Sequence, residues 1–326
     1  MGIQLYDNII IDVYNQYYRI FNRNENIVEI GDTKAPIEAI VNFFLLTDGY
    51  IKKYGTQSCR VYYLFDNAKT TVLKNRKELD PQYKKSRQIQ SEEFYRGIDL
   101  IELILKFYRE NSCIYRKQGV EADDFVIPLV NEFIQEHNKV LMISTDIDWC
   151  RALMSDKEND IIINQYTKNN EILTVESFKE KYGFKPTETN IIFWKSIYGD
   201  DSDCILPTLP NYPHQYFLDT IKRYNHISQF ISDSLNGNIK YLDSGWKIKI
   251  RQNSERMMLN WNLISGIDIS INDLENWKVE CSFKPNKLLI IYNTLNVIGR
   301  FDKRIKNENR GSDLLSMLDG EIMERA

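Results

Sequence analysis

The sequence predicts an α/β fold, a mostly parallel central sheet flanked by helices and followed by a mainly helical C-terminal region. Three observations carry that expectation. Apolar runs at 8–11, 60–65 and 140–143 have the length of strands and little polar alternation, as strands covered on both faces require. Each run is followed by an aspartate, Asp12, Asp66 and, slightly further on, Asp146. Elsewhere apolar residues recur at three-to-four spacing, as at Phe94, Ile98, Ile101, Leu105 and Tyr108, the mark of an amphipathic helix that lays one face on a core.

Taken in order, 8–11 reads as a central parallel strand ending at Asp12. Residues 34–54 read as a helix that Gly55 stops, and 60–65 as the next strand, ending at Asp66. Composition then changes: Lys69, Lys74, Arg76, Lys77, Lys84, Lys85 and Arg87 crowd one stretch, with Tyr83 in it and Tyr95 beyond it. A charge run alone is most often a solvated surface. Beside a carboxylate cluster, however, such cations can hold a polyanion that the acids would repel, and a tyrosine offers a stacking face for a base. After the 94–108 helix come a short strand at 113–115, a helix from Glu121 to about His137 that contains Pro128, and the strand 140–143. A short helix follows Trp149, then a strand at 160–163 and helices at 175–182 and 187–198. Further expectations are a helix near 213–224, a hairpin around Gly245 within 239–251, a helix at 254–265 and a charged tail from Lys303. No internal repeat or low-complexity tract interrupts this.

Bulk properties exclude several classes. The 326 residues suffice for one large domain or two smaller ones, no run is long enough for a membrane span, and Met1 is followed by no basic-then-apolar leader, so a cytoplasmic protein is expected. Five scattered cysteines without a Cys-x-x-Cys pair argue against a disulfide framework and a thiolate zinc site. With only three histidines, none spaced for pairing, any metal would be held by oxygen, which favours Mg²⁺ or Mn²⁺. The formal charge of −4 argues against binding nucleic acid over the whole surface but leaves room for a local basic patch.

The acids are the chemistry-bearing residues. Glu121, Asp123 and Asp124 open a helix, where the dipole favours them without any further role. Asp146 and Asp148 are harder to read that way. They stand two apart beyond a strand, at the edge where open α/β sheets bind ligands. Asp200 and Asp203 would share a face of a helical turn, or simply mark an Asp-rich turn.

These segments, in this order, resemble the flap-endonuclease family of 5′-nucleases, especially its bacteriophage and bacterial 5′→3′ exonuclease branch. Ile10-Ile11-Asp12 with Asn15 and Arg19 resembles the first family motif and Leu64-Phe65-Asp66 the second. Tyr83-Lys84-Lys85-Ser86-Arg87 resembles its Tyr-Lys-x-x-Arg box, and residues 119–124 its Gly-x-Glu-Ala-Asp-Asp. Ser144 to Trp149 and Gly199 to Asp203 match its Ser-x-Asp-x-Asp and Gly-Asp-x-x-Asp motifs. The resemblance spans 8–205 and implies a PIN-like nuclease domain over 1–198, with a basic helical arch at 67–96. It further implies a degenerate helical duplex-binding region and C-terminal extension over 199–326.

By resemblance the chain is a metal-dependent 5′-nuclease, a monomer of a bacterial or virus-infected cell acting in replication or repair on DNA with 5′ ends or flaps, or on an RNA/DNA hybrid. Nine carboxylates, Asp12, Asp66, Glu121, Asp123, Asp124, Asp146, Asp148, Asp200 and Asp203, would surround two Mg²⁺ or Mn²⁺ ions, since one like-charge pair at ~4 Å costs about 4 kcal/mol at an effective dielectric near 20. The implied first ion takes Asp66, Glu121, Asp123 and Asp146 with Asp12 close by, and the second takes Asp148, Asp200 and Asp203. Asp124 serves either ion or only the shell around them. Lys84 and Arg87 neutralise the scissile phosphate and, with Asp123 and Asp146, form the expected catalytic set. Arg19, Lys69, Lys74, Arg76, Lys77, Tyr83, Lys84, Lys85 and Arg87 are expected to contact nucleic acid, and Tyr83, Tyr14, Tyr17 or Tyr18 to stack on an end base.

The chain departs from the family where a glycine-rich hairpin should follow Asp203. Residues 204–211 contain no glycine and two prolines, so close backbone approach to a duplex phosphate is not expected. Two other readings are a non-catalytic nucleic-acid-binding protein that keeps the fold and a PIN-type ribonuclease. Retention of every acid speaks against the first, and the second leaves the basic box and Gly-Asp-x-x-Asp unexplained.

Overall fold

A computed structural model describes residues 4–23, 28–30, 33–66, 73–86, 89–156, 158–159, 161–166 and 171–294. It divides into two compact units: Met1–Tyr63, Gln90–Tyr115 and Lys278–Ala326 form the first, and Leu64–Ile89 with Arg116–Trp277 the second. None of the breaks between these units falls at 198/199, the domain boundary expected from the sequence.

The chain opens with strand β1 (Tyr6–Asp12), almost wholly buried. Its last residue also starts helix α1 (Val13–Phe21), because the Asp12 carboxylate accepts the Asn15 N–H at 3.0 Å. Strands β2 (Val28–Ile30) and β3 (Thr33–Ala35) pair antiparallel. Helix α2 (Ile37–Tyr54) ends at Gly55, where β4 (Gly55–Leu64) begins, five residues earlier than the apolar run alone suggests. The basic segment contains α3 (Leu73–Leu79). Helix α4 (Glu92–Tyr108), capped by the Ser91 hydroxyl, buries the predicted stripe of Phe94, Ile98, Ile101, Leu105 and Tyr108.

Strand β5 (Ser112–Tyr115) is followed by α5 (Ala122–Gln135), which runs through Pro128, and by β6 (Lys139–Ile143). A 3-10 turn (Ile147–Ala152) leads to β7 (Met154–Asp156), β8 (Ile161–Tyr166) and β9 (Ile172–Leu173). Helices α6 (Val175–Tyr182) and α7 (Glu188–Tyr198) complete the predicted α/β part. Beyond it lie α8 (His214–Ile221), α9 (Ile227–Leu235), α10 (Ser244–Gln252), α11 (Ser254–Ser265), α12 (Ile271–Trp277), strand β10 (Lys278–Glu280) and α13 (Pro285–Thr294).

The architecture is the expected mixed, mostly parallel sheet flanked by helices. In the first unit the strand order is β10-β5-β4-β1; in the second it is β6-β8-β7, with β9 on β8. Strand β6 runs parallel to β8, Val140 opposite Ile163. Strand β10 pairs antiparallel with β5, so a strand from the far C-terminus completes the first unit. No helix among the described residues is long and apolar enough to cross a membrane. One expectation is corrected: 239–251 holds no hairpin. Alternation at Ile248 and Ile250 imitates a strand, but the Asp243 carboxylate accepts the Trp246 N–H at 2.9 Å and starts α10, on which Ile250 is buried and Ile248 exposed. The charged tail from Lys303 lies outside the described residues.

Candidate metal centre

All the site geometry that follows belongs to the second unit. Strand β6 delivers the chain to Ser144, whose hydroxyl accepts the Asp146 N–H at 3.1 Å. Asp146 in turn accepts the Asp148 N–H at 2.9 Å and caps the 3-10 turn, whose Trp149 is buried as an anchor. The Gln165 side chain, from β8, donates to Ser144 O at 3.0 Å and Asp146 O at 2.6 Å and accepts the Cys150 thiol. That carboxamide fixes the loop bearing both aspartates.

Helix α5 places the next three acids. Asp66, just beyond β4, accepts the Ala122 N–H at 2.7 Å, and Asp124 accepts the Glu121 N–H at 3.0 Å, so two carboxylates satisfy helix-start amides that would otherwise be orphaned. The last pair stands on a tight hairpin. Asp200 and Ile205 exchange two backbone hydrogen bonds of 2.8 Å, while Asp200 accepts the Ser202 amide and hydroxyl. Gly199 makes the hairpin possible: its φ is +79°, and a Cβ there would lie 2.5 Å from Ile205 O.

These elements gather two carboxylate groups, Glu121 with Asp123 and Asp124, and Asp148 with Asp200 and Asp203. Within each, one oxygen per residue lies inside 4.8 Å of the others. Basic side chains hold both groups together. Arg76 of α3 pairs with Glu121 and, at 2.6 Å, with Asp124. Lys84 Nζ lies 2.5 Å from Glu121 and 3.8 Å from Asp203, and Lys195 Nζ is 2.5 Å from both Asp148 and Asp200. Arg151 donates to Asp123 O at 2.7 Å and approaches its carboxylate at 3.6 Å.

Burial and these cations compete in setting protonation. Burial pushes Asp124 and Asp148 up to about 6, reinforced by the charges of Asp123 and Asp146 respectively. It also raises Asp146. At Asp123 burial acts in the same direction, but Arg76, Arg151 and Lys84 outweigh it and bring the carboxyl down to about 2. At Asp200 the same opposition ends in a lowered pKa, because Lys195 wins over burial. Burial disfavours the Lys195 ammonium, yet Asp148, Asp200 and Asp146 together raise it.

Eight of the nine predicted acids thus fall within this unit; Asp12, like Arg19, belongs to the first. The cations divide. Lys84 reaches the acids but is itself buried, 9% exposed, whereas Lys77 and Lys85 are exposed. Arg76 and Tyr83 differ from expectation. Arg76 is 7% exposed with its guanidinium on two carboxylates, and Tyr83 is 2% exposed with its hydroxyl 3.3 Å from Glu121 and 3.2 Å from Asp203, so neither faces solvent where a phosphate or base would meet it. Tyr17 is likewise buried, its ring against Phe94 and Phe43. Lys69 and Arg87 lie outside the described residues, as does the side chain of Lys74. Sequence reasoning missed Lys195, Arg151 and Gln165. Lys195 had a signal, a lone cation inside the apolar run 191–197.

Residues 7–183, more than half the chain, match the family described as 5′-3′ exonuclease, N-terminal resolvase-like domain. The chain belongs to the 5′-3′ exonuclease family. A 5′-3′ exonuclease of Buchnera aphidicola subsp. Acyrthosiphon pisum (strain APS) is 28% identical over 283 residues, covering 82% of this chain and 90% of the relative. DNA polymerase I of Bacillus subtilis (strain 168) is 27% identical over 218 residues, 65% of this chain and 23% of the polymerase. Among solved structures, T5 D15 protein co-crystallised with metal ions has a TM-score of 0.58 at 17% identity, covering 97% of this chain and 98% of that one. T5 5′-exonuclease with zinc bound gives the same values. At that identity the likeness is one of fold, and this exonuclease-family chain shares it nearly end to end.

Proposed function

We propose that this member of the 5′-3′ exonuclease family is a divalent-metal-dependent 5′-nuclease that hydrolyses phosphodiester bonds of DNA during replication or repair. The observation that carries the reading is the pair of carboxylate groups in the second unit, each compact enough to share an ion. Their donors are all oxygen, and no His or Cys joins either group. That set fits Mg²⁺ or Mn²⁺. Glu121 and Asp123, with Asp66 and Asp146, would hold one ion, and Asp148, Asp200 and Asp203 the other. Asp124 is better suited to support than to ligation, because its oxygens already receive Glu121 N–H, Arg76 and, at 3.3 Å, Ile267 N–H. Two divalent ions in such a site supply a nucleophile at neutral pH and neutralise charge at the leaving oxygen.

The chain's own side chains orient and neutralise. Lys84 has a left-handed backbone, φ 54°, with its N–H on Asp203 O at 2.8 Å, so the ammonium is aimed by a fixed peptide. It would exchange Glu121 for a nonbridging oxygen of the reacting phosphate, with Arg87 as its partner. Lys195 keeps Asp148 and Asp200 charged and adjacent. Exposed Lys77 and Lys85 would bind phosphates further along the strand, without base selectivity.

Substrate choice follows from residues 204–211. Two prolines and no glycine leave few free amides to grip a duplex, so side chains such as Lys222 and Arg223 would provide what contact there is. Cleavage of a 5′ flap is expected to exceed that of a matched blunt or recessed 5′ end only slightly, and replacing sodium by potassium should change little. Rates on 5′-labelled DNA of both kinds and on an RNA/DNA hybrid, with Mg²⁺, Mn²⁺ or EDTA, test this. A strong flap preference that requires potassium would overturn the substrate reading, and undiminished cleavage in EDTA the metal reading.

A further inference from the structure

We propose that Asn260, on α11, is a positioning residue for Asp200 and Asp203, setting the spacing of the second carboxylate group. The inference rests on the metal-binding reading above. Helix α11 buries Met257, Trp261, Leu263 and Ile264, and at the centre of that apolar face stands a carboxamide that is 0% exposed. A buried amide is costly unless its hydrogen-bonding groups are used. Asn260 uses its NH₂ end twice, donating to Ser196 O at 3.2 Å and to Leu206 O at 2.9 Å, while its Oδ1 takes no hydrogen bond from the described residues. Both partners are carbonyls, so only the NH₂ end of the amide can face them.

The two acceptors lie where geometry matters to the acids. Ser196 is in the last turn of α7, on the leg leading to Asp200, and Leu206 is on the leg leaving Asp203. Between them the chain closes through the Asp200–Ile205 pair. One side chain therefore ties both legs of the aspartate hairpin to a single point on α11. Thr208, itself on the leaving leg, also crosses to the entering one, its hydroxyl donating to Ser196 O and its N–H to Ile197 O, each at 2.9 Å, but Asn260 is the side chain that joins both legs to α11.

The rest of α11 points the same way. Arg256 pairs with Asp80 at 2.7 Å, below the Tyr83-Lys84 turn; Ile264 O accepts Arg151 at 3.4 Å; and Ile267 N–H donates to Asp124 at 3.3 Å. Gly266, φ +80°, lets the chain pass so close that a Cβ would stand 2.4 Å from Asp124 Oδ1. Helix α11 and the turn after it thus brace the base of the basic segment, the α5 acids and the aspartate hairpin. Of these contacts, the Asn260 pair bears most directly on ligand spacing, because Mg²⁺ demands near-octahedral oxygens and tolerates little displacement.

The test compares wild type with Asn260→Ala and Asn260→Ser, and uses Thr47→Val as a stability control. Thr47 is a buried α2 hydroxyl of the first unit, bonded to Phe43 O and Phe44 O. Readouts are Mn²⁺ titration by calorimetry and electron paramagnetic resonance at a temperature where every variant is folded, and kcat and KM on 5′-labelled single-stranded DNA. Asn260→Ala is expected to weaken one class of Mn²⁺ site by about 10–100-fold and to lower kcat with KM little changed, as loss of a ligand-orienting partner does. Asn260→Ser, which keeps one donor, should fall between, and it carries the test if the alanine variant does not fold. Thr47→Val should lose stability without losing Mn²⁺. Wild-type Mn²⁺ affinity in Asn260→Ser or Asn260→Ala, or an equal loss in Thr47→Val, overturns the inference alone. A wild type that binds no Mn²⁺ overturns the functional reading and this inference with it.

Discussion

Arg76 shows how a single side chain can change meaning between sequence and structure. Within a run of cations it reads as a phosphate contact, yet it is buried against Glu121 and Asp124. Removing one member of a buried ion pair leaves the other uncompensated, which typically costs ~3–5 kcal/mol. Arg76→Met should accordingly lower the unfolding temperature in EDTA, and Mn²⁺ should recover more of that loss than it adds to wild type, because the ion would replace the missing charge. Equal melting of the two proteins in EDTA would show that the pair contributes nothing. Lys84 is also buried, against Glu121, and the role at the reacting phosphate is proposed for it. Lys84→Ala should reduce the single-turnover cleavage rate far more than DNA affinity, since other cations can bind the strand but only a group at the reacting phosphate stabilises its developing charge. A fall in affinity alone would place Lys84 away from the chemistry. The acids were legible because their spacing is local. Lys195, Arg151 and Gln165 were not, because their partners come from other elements, and no periodicity in one segment records a contact made with another.

At the scale of elements, the strands and helices read from apolar runs before residue 200 are present with boundaries shifted by a few residues, whereas α1, started by the Asp12 cap, α3 and the short strands β2, β3, β7 and β9 had no such run to announce them. The misreading of 239–251 has a physical cause: two β-branched residues at alternate positions outweigh nothing once an aspartate caps a helix and only one of them is buried. The turn into Asp200 is the most constrained element of the site. Gly199→Ala would require a left-handed φ of an L-residue and push its Cβ against Ile205 O, a strain of order 1–3 kcal/mol. Chemical denaturation should show a loss of that order, with kcat reduced because Asp200 and Asp203 move together. Unaltered stability and kcat would mean that the hairpin relaxes freely and does not set the acid geometry.

At the scale of the whole chain, the amino-acid order conceals the packing. The chain leaves the first unit at residue 64, returns for 90–115 and returns again at 278, so neither unit is one continuous segment. Composition changes along the chain cannot reveal such a division, and a C-terminal strand on β5 has no local signal at all. What the sequence did carry was the ordered set of acids, and the centre built from them is the core of the account. Its most direct test is cleavage of 5′-labelled single-stranded DNA by wild type and Asp146→Asn, in Mg²⁺, in Mn²⁺ and in EDTA. The substitution removes one carboxylate charge and almost no volume. Wild type should cleave with either metal and not in EDTA, and Asp146→Asn should lose cleavage by several orders of magnitude with folding and DNA affinity retained. Near wild-type turnover by Asp146→Asn, or full activity in EDTA, would contradict it.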